Sequence, residues 1–137
     1  MKSFSFNHKH VLVTGAGGGL GSALVRKLTE LGANLVVSDR SPGTMNRLES
    51  TCSRENAIIA VPADLSVPGE AAKLAKKTME AVGYIDILIN NAGIGYHALM
   101  DETIDDKMRK VYEVNTFSPM ALTLALLPSM KDRGRGI

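Results

Sequence analysis

The sequence predicts an α/β domain built on a doubly wound parallel sheet, with helices on both faces. Three observations carry that expectation. Short β-branched runs alternate with longer helical patterns along the chain, and regular alternation gives a parallel sheet joined by right-handed crossovers. The segment Ile85 to Ile89 is almost wholly apolar, as a strand covered on both faces must be. The glycine run Thr14-Gly15-Ala16-Gly17-Gly18-Gly19-Leu20-Gly21 separates a strand-like segment from a helix-like one. Glycine turns tightly there and lets the backbone approach other groups closely.

The elements follow in order. Val11-Leu12-Val13 reads as the first strand. Leu20, Ala23, Leu24, Lys27, Leu28 and Leu31 then recur on one helix face, interrupted only by Lys27, and Gly32 ends that helix. Leu35-Val36-Val37 is the second strand, closing at Ser38-Asp39-Arg40. Ser41-Pro42-Gly43 is a loop, Thr44 to Ser53 a second helix, and Ala57 to Val61 a third strand. Asp64-Leu65-Ser66 opens the next connection, with Ser66 as the expected N-cap. Ala71, Leu74, Ala75, Thr78, Met79 and Val82 share the face of a third helix. Ile85 to Ile89 is the fourth strand, and Asn90-Asn91-Ala92-Gly93 follows at once. A last helical region runs from Thr103 to Met130, interrupted at Pro119. Thr103 with Asp106 suggests a capping box at its start, and Gly134 a C-cap at its end. The 137 residues read as a single domain, with no repeat, low-complexity tract or linker.

Composition excludes several classes. Lys and Arg are scattered and the net charge is +2, so there is no nucleic-acid footprint. The longest apolar stretch, around Met120 to Leu127, is too short to span a bilayer. Met1 to His10 lacks the apolar core of a signal peptide. Cys52 is the single cysteine, so no intramolecular disulfide forms, and a reducing, cytoplasmic setting is expected. His97 has no second ligand at metal-binding spacing, and no metal site is expected.

The motifs point to a dinucleotide. The first-turn N–H groups after the glycine run have no intrahelical partners, and the helix dipole adds positive potential there. Asp39 ends the second strand 18 residues beyond Gly21, where a carboxylate accepts both hydroxyls of an adenosine ribose and repels a 2′-phosphate. That favours NAD, with NADP as the alternative because Arg40 could pair with a 2′-phosphate. Asp64 with Leu65 suits the adenine edge, and Ser22 lies near the phosphate turn. Asn90 and Asn91 carry amides able to bond neighbouring strand ends, while Ala92 and Gly93 leave room for a ribose. Asn115 falls on the helix stripe of Ile104, Met108, Val111 and Tyr112, as a buried amide. Pro119 has no N–H to return to its carbonyl, leaving a place to hold a water.

Together these residues resemble the short-chain dehydrogenase/reductase family. The match is TGxxxGxG at Thr14 to Gly21, Asp64-Leu65, NNAG at Asn90 to Gly93, and Asn115 on its helix. The resemblance implies a Rossmann-type sheet of strand order 3-2-1-4 and hydride transfer between nicotinamide C4 and an alcohol or carbonyl carbon. It assigns Gly15, Gly19, Leu20 and Gly21 to the pyrophosphate loop, and Asp39, with Arg40 beside it, to ribose discrimination. Asp64 and Leu65 map to the adenine site, Asn91, Ala92 and Gly93 to the inner ribose wall, and Asn115 to the catalytic asparagine. There its carbonyl holds the water that links the catalytic lysine to solvent. The family also requires Tyr-x-x-x-Lys and a preceding Ser. Four residues after Tyr84, Tyr96 and Tyr112 stand Leu88, Met100 and Thr116. The chain is therefore expected to be an N-terminal piece, truncated before the fifth strand, of an NAD-preferring oxidoreductase of small alcohols or carbonyls, and inactive alone. The competing expectations are a catalytically inactive dinucleotide-binding module and a fragment without a function of its own. The free edge of the fourth strand is expected to invite self-association.

Overall fold

The computed structural model describes residues 4–41, 43–44, 47–48 and 58–137. Strands β1 (His10–Thr14), β2 (Asn34–Ser38), β3 (Ile58–Ala60) and β4 (Ile87–Ile89) form one sheet in the order β3-β2-β1-β4. All three pairings are parallel, with Thr14 opposite Ser38 and Val13 opposite Ile89. This is the order expected from the sequence. Helices α1 (Gly19–Glu30), α2 (Glu70–Val82), α3 (Asp105–Tyr112) and α4 (Ser118–Asp132) complete the frame. Residues 43–44 and 47–48 are helical; the remainder of the helix expected from Thr44 to Ser53, with Pro42, Cys52 and Ala57, lies outside the described residues.

Alternation along the strands fills two cores. Val11, Val13, Leu35 and Val37 pack with Val25 and Leu28 of α1. Leu12 and Val36 pack with Leu74 of α2 and with Leu122 and Leu126 of α4. Both faces are covered, so consecutive strand residues are all apolar.

Several local expectations are corrected. The buried stripe of α1 is Gly21, Val25 and Leu28, whereas Leu20 and Leu31 are exposed. A Cβ on Gly21 would run into the Gly15 carbonyl, so the face carrying this glycine docks on the turn and leaves Leu20 and Leu31 pointing outward. Ser66 is not an N-cap: α2 starts at Glu70 behind Gly69, and Ser66 bonds Asp64 instead. No capping box forms at Thr103, whose hydroxyl donates to the Leu99 carbonyl, and α3 opens behind Ile104 without a side-chain cap. The face of Ile104, Met108 and Tyr112 is exposed rather than buried. The break in the last helix precedes Pro119: residues Glu113–Phe117 form a π-helical turn, and the Ser118 N–H reaches back to the Glu113 carbonyl. Pro119 cannot donate to the carbonyl four residues earlier, and the widened turn accommodates that gap.

The end of α4 is tied to the base of the sheet. Gly134 takes φ 63°, and the Gly134 and Arg135 N–H groups return to the Lys131 and Met130 carbonyls, the Schellman arrangement. Ile137 then bonds the outer edge of β4, donating to Asp86 O at 3.0 Å and accepting from Leu88 N at 2.8 Å. The edge expected to be open is thus met at these two residues.

Asp86, buried beneath β4, accepts from Arg133 at 2.9 Å and from the His10 N–H at 3.1 Å. Arg133 also donates to the Ile85 carbonyl and lies 4.3 Å from the Tyr84 ring centre. Burial alone would raise the Asp86 carboxyl, but the bonds from Arg133 and His10 and the charges of Lys9 and Arg133 hold it below the ordinary aspartate value. A depressed carboxyl stabilises the fold fully above its unfolded-state pKa, and that contribution is lost as pH falls through the folded-state value. Asp86→Asn is expected to lower stability at pH 7 by about 2–3 kcal/mol, because it leaves Arg133 without its counter-ion. In melts across pH, the gap to the parent chain closes below about pH 4.

Candidate functional site

The strand C-termini open onto a cleft of about 560 Å³ where β1 and β4 diverge toward opposite connections. Ligands of open parallel sheets bind at such a switch point. Every wall of the cleft is built by a short sequence motif.

The first wall is the glycine turn. Gly15 has φ 63°, and a Cβ there would lie 2.8 Å from Ala92 Cα. The turn is closed by Ala16 N–H to Ser38 O at 3.1 Å and Gly18 N–H to Gly15 O at 3.2 Å. No side chain caps the start of α1, so its first-turn N–H groups remain available to an anion. A Cβ on Gly19 would meet nothing within 4 Å: this residue borders open space. Leu20 stands exposed at the lip of the cleft. The Ser22 hydroxyl turns back to the Gly19 carbonyl at 3.1 Å.

The second wall carries two carboxylates. Asp39 accepts from Gly17 N–H at 3.0 Å and from Ser41 N–H at 3.2 Å, one bond to each oxygen, so both keep acceptor capacity. The side chain that ends β2 therefore also holds the glycine turn. Asp64 accepts from the Ser66 hydroxyl at 2.7 Å and the Ser66 N–H at 3.0 Å. These two bonds, with the Arg40 and Lys110 charges nearby, outweigh its slight burial and keep its carboxyl below the usual value. Leu65 is buried beside it, its carbonyl accepting from the buried Ser118 hydroxyl at 2.9 Å.

The third wall follows β4. Asn91 Nδ2 donates to the Thr14 and Gly15 carbonyls at 2.9 and 3.1 Å. The Asn91 and Ala92 N–H groups donate to Thr14 Oγ1 at 3.1 and 3.0 Å. Asn90 takes no part: it is exposed and lines a separate hollow with Leu126 and Ile137. Asn115 is exposed rather than buried, and both ends of its amide bond the backbone of one residue. Its Oδ1 accepts from Ile94 N–H and its Nδ2 donates to Ile94 O, both at 2.9 Å. The π-helical turn carries the amide to the chain just beyond Gly93.

The turn and wall residues named from the sequence, Gly15, Leu20, Asp39, Arg40, Asp64, Leu65, Asn91, Ala92 and Gly93, all line this cleft. Gly19 and Gly21 shape the turn beside it, and Asn115 touches it through Ile94. Sequence reasoning missed Thr14 and Ser118 as supports; a hydroxyl residue ending an apolar strand is the signal that marks Thr14. The fit to a dinucleotide rests on the uncapped start of α1, the open space at Gly19 and the ionised Asp64. Among the described residues no group of three His, Cys, Asp or Glu could hold a metal ion, and no helix is long and apolar enough to cross a membrane.

Residues 9–137 match the family model described as short chain dehydrogenase. The chain is 41% identical over 131 residues to mouse (Mus musculus) "Dehydrogenase/reductase SDR family member 7B", covering 92% of this chain and 41% of that protein. It thus spans about two-fifths of the length of the curated relatives it matches. Among solved structures it is similar to L-sorbose reductase from Gluconobacter frateurii complexed with NADPH and L-sorbose, with TM-score 0.90, 25% identity, and coverage of 96% of this chain and 51% of that one. A short chain dehydrogenase/reductase from Burkholderia phymatum in complex with NAD gives TM-score 0.83 and 31% identity, over 92% of this chain and 45% of that one.

The two outer positions of the glycine turn should respond differently to a methyl group. Gly15→Ala combines a positive φ with a backbone clash and should cost about 2 kcal/mol or more. Gly19→Ala should melt within about 0.5 kcal/mol of the parent, or slightly above it. Denaturant titration of the two variants measures both.

Proposed function

The chain belongs to the short-chain dehydrogenase family, and from that premise we propose that it is the dinucleotide-binding part of an oxidoreductase acting on small alcohols or carbonyls. Its 137 residues act as one nucleotide-binding unit in this reading. The observation that carries it is the Asp39 carboxylate, bonded to Gly17 N–H at 3.0 Å, beside an uncapped helix start. A ligand with a pyrophosphate at one end and ribose hydroxyls at the other matches that pairing of charges.

Each residue then has a task. Gly15, Gly19, Leu20 and Gly21 form the pyrophosphate turn, with the first-turn N–H groups as donors. Asp39 accepts the adenosine ribose hydroxyls and disfavours a 2′-phosphate, so NAD is preferred. Arg40 covers the adenine or, in the NADP alternative, meets the extra phosphate. Asp64 and Leu65 take the adenine edge, and Asn91, Ala92 and Gly93 wall the inner ribose. Asn115 is a positioning residue that holds the backbone at Ile94. The bound nicotinamide supplies hydride-transfer chemistry at C4; this chain binds and orients it. The 137 residues contain no Tyr with Lys four positions on, so the proposal has them bind without turnover on their own. In a second reading the chain is a binding module that pairs with another chain. Ile104, Met108, Tyr112, Phe117, Met120 and Leu124 favour it, being exposed along the last helical region.

Calorimetric titration of the purified chain should give saturable binding of NAD, tighter than NADP. Gly19→Ala should weaken both by at least about tenfold without loss of fold. Asp39→Asn should weaken NAD by about tenfold and narrow its lead over NADP. A folded chain that binds neither dinucleotide, or NAD-dependent alcohol oxidation by the chain alone, would contradict the proposal.

A further inference from the structure

We propose that Ser118 is a positioning residue for base selectivity: from the start of α4 its hydroxyl holds the Asp64-Leu65-Ser66 loop, and so places the Asp64 carboxylate. The assignment rests on the dinucleotide reading above. Ser118 follows directly on the π-helical turn. Val114, Ser118, Leu122 and Leu126 recur at intervals of four and are all buried, the spacing of one helix face. Ser118 is the polar member of that apolar stripe. It is 1% exposed, and its hydroxyl donates to the Leu65 carbonyl at 2.9 Å, a bond between residues 53 positions apart. Alanine would suit the stripe, but it would leave the carbonyl of a buried residue without this donor, and an unpaired buried carbonyl is costly.

The loop's other bonds shape it from within. Asp64 accepts twice from Ser66 through its carboxylate, and its carbonyl accepts from Val67 N–H at 3.1 Å. The bond from Ser118 ties this local structure to a helix. Ser118 is itself well fixed, being buried and having its N–H bonded to the Glu113 carbonyl. A binding group is only as well placed as the side chains that support it. The same stretch of helix serves the opposite wall, because Val114 lines the cleft and Asn115 bonds Ile94 at both ends of its amide. One turn of irregular helix thus holds both walls. The base edge that meets Asp64 decides what this placement is worth. A carboxylate accepts from the amino group of adenine and repels the oxygen that replaces it in hypoxanthine. Preference between the two bases therefore reports where Asp64 stands.

The test is calorimetric titration of the whole chain with NAD and with nicotinamide hypoxanthine dinucleotide, alongside thermal melts without ligand. The parent should bind NAD the more tightly. Ser118→Ala should weaken NAD about three- to tenfold and the hypoxanthine analogue less than about twofold, so the preference narrows. Ser118→Cys keeps the size and a weaker donor, and should fall between alanine and the parent; it carries the same comparison if the alanine variant does not fold. Leu126→Val lies on the same buried stripe two turns on, and should lower the melting temperature while leaving both affinities unchanged. Equal weakening of the two ligands by the Ser118 variants, or no weakening, would overturn this assignment alone and leave the dinucleotide reading standing. A parent that binds NAD without preferring it would overturn the Asp64 base contact and this assignment with it. A folded parent that binds neither ligand would overturn the dinucleotide reading as well.

Discussion

At the C-terminal ends of β1 and β4 a threonine hydroxyl and an asparagine amide lock two strands together. Thr14 Oγ1 receives the N–H groups of Asn91 and Ala92, and Asn91 Nδ2 returns two bonds to the Thr14 and Gly15 carbonyls. Each such bond is worth about 1 kcal/mol net, and more when its loss strands a buried group. The node brings Ala92 against Gly15, where only a glycine fits. The Gly15 carbonyl in turn sets how closely Gly21 approaches, and so how α1 is rotated. On the other side the node fixes the chain leading to Ile94, where the Asn115 amide takes over. The turn wall and the wall beyond β4 both hang from this one arrangement.

The cleft is electrically graded. Unsatisfied N–H groups and the positive end of the α1 dipole face one end, and the carboxylates of Asp39 and Asp64 face the other. Arg40 and Lys110 help keep Asp64 ionised, which preserves the gradient. In the dinucleotide reading proposed above, such a cleft would discriminate by charge placement more than by shape, with phosphate at the helix start and hydroxyls and a nucleobase edge at the acidic end. The Asp39 bond to Gly17 couples the two ends mechanically, so a change at Asp39 also disturbs the turn.

The strand order and most of the cleft were legible because they are written in local chemistry. A glycine turn between strand and helix, an acid at the end of β2 and an amide after β4 each announce themselves in a few residues. The α1 stripe misled because leucine spacing competes with a close approach at Gly21 that only tertiary contact reveals. Ser66 and Thr103 looked like helix caps, but each hydroxyl had a nearer partner, Asp64 and the Leu99 carbonyl. The spacing puts Asn115 on an apolar helix stripe, yet that stripe is exposed and the π-helical turn directs the amide to Ile94. Asp86 with Arg133, and Thr14 with Asn91, join residues 47 and 77 positions apart. No local pattern encodes such pairs.

The central claim is that the glycine turn and the node that supports it form the seat of a dinucleotide. Amide nuclear magnetic resonance of the isotopically labelled chain, titrated with NAD, tests it residue by residue. The account predicts that the largest shifts fall on Gly17 to Gly21, on Asp64 to Ser66 and on Ala92 to Ile94, with the base of the sheet around Asp86 and Arg133 unmoved. Saturable shifts centred on the exposed face of α3 and α4, or no shifts at all in a well-folded chain, would contradict it.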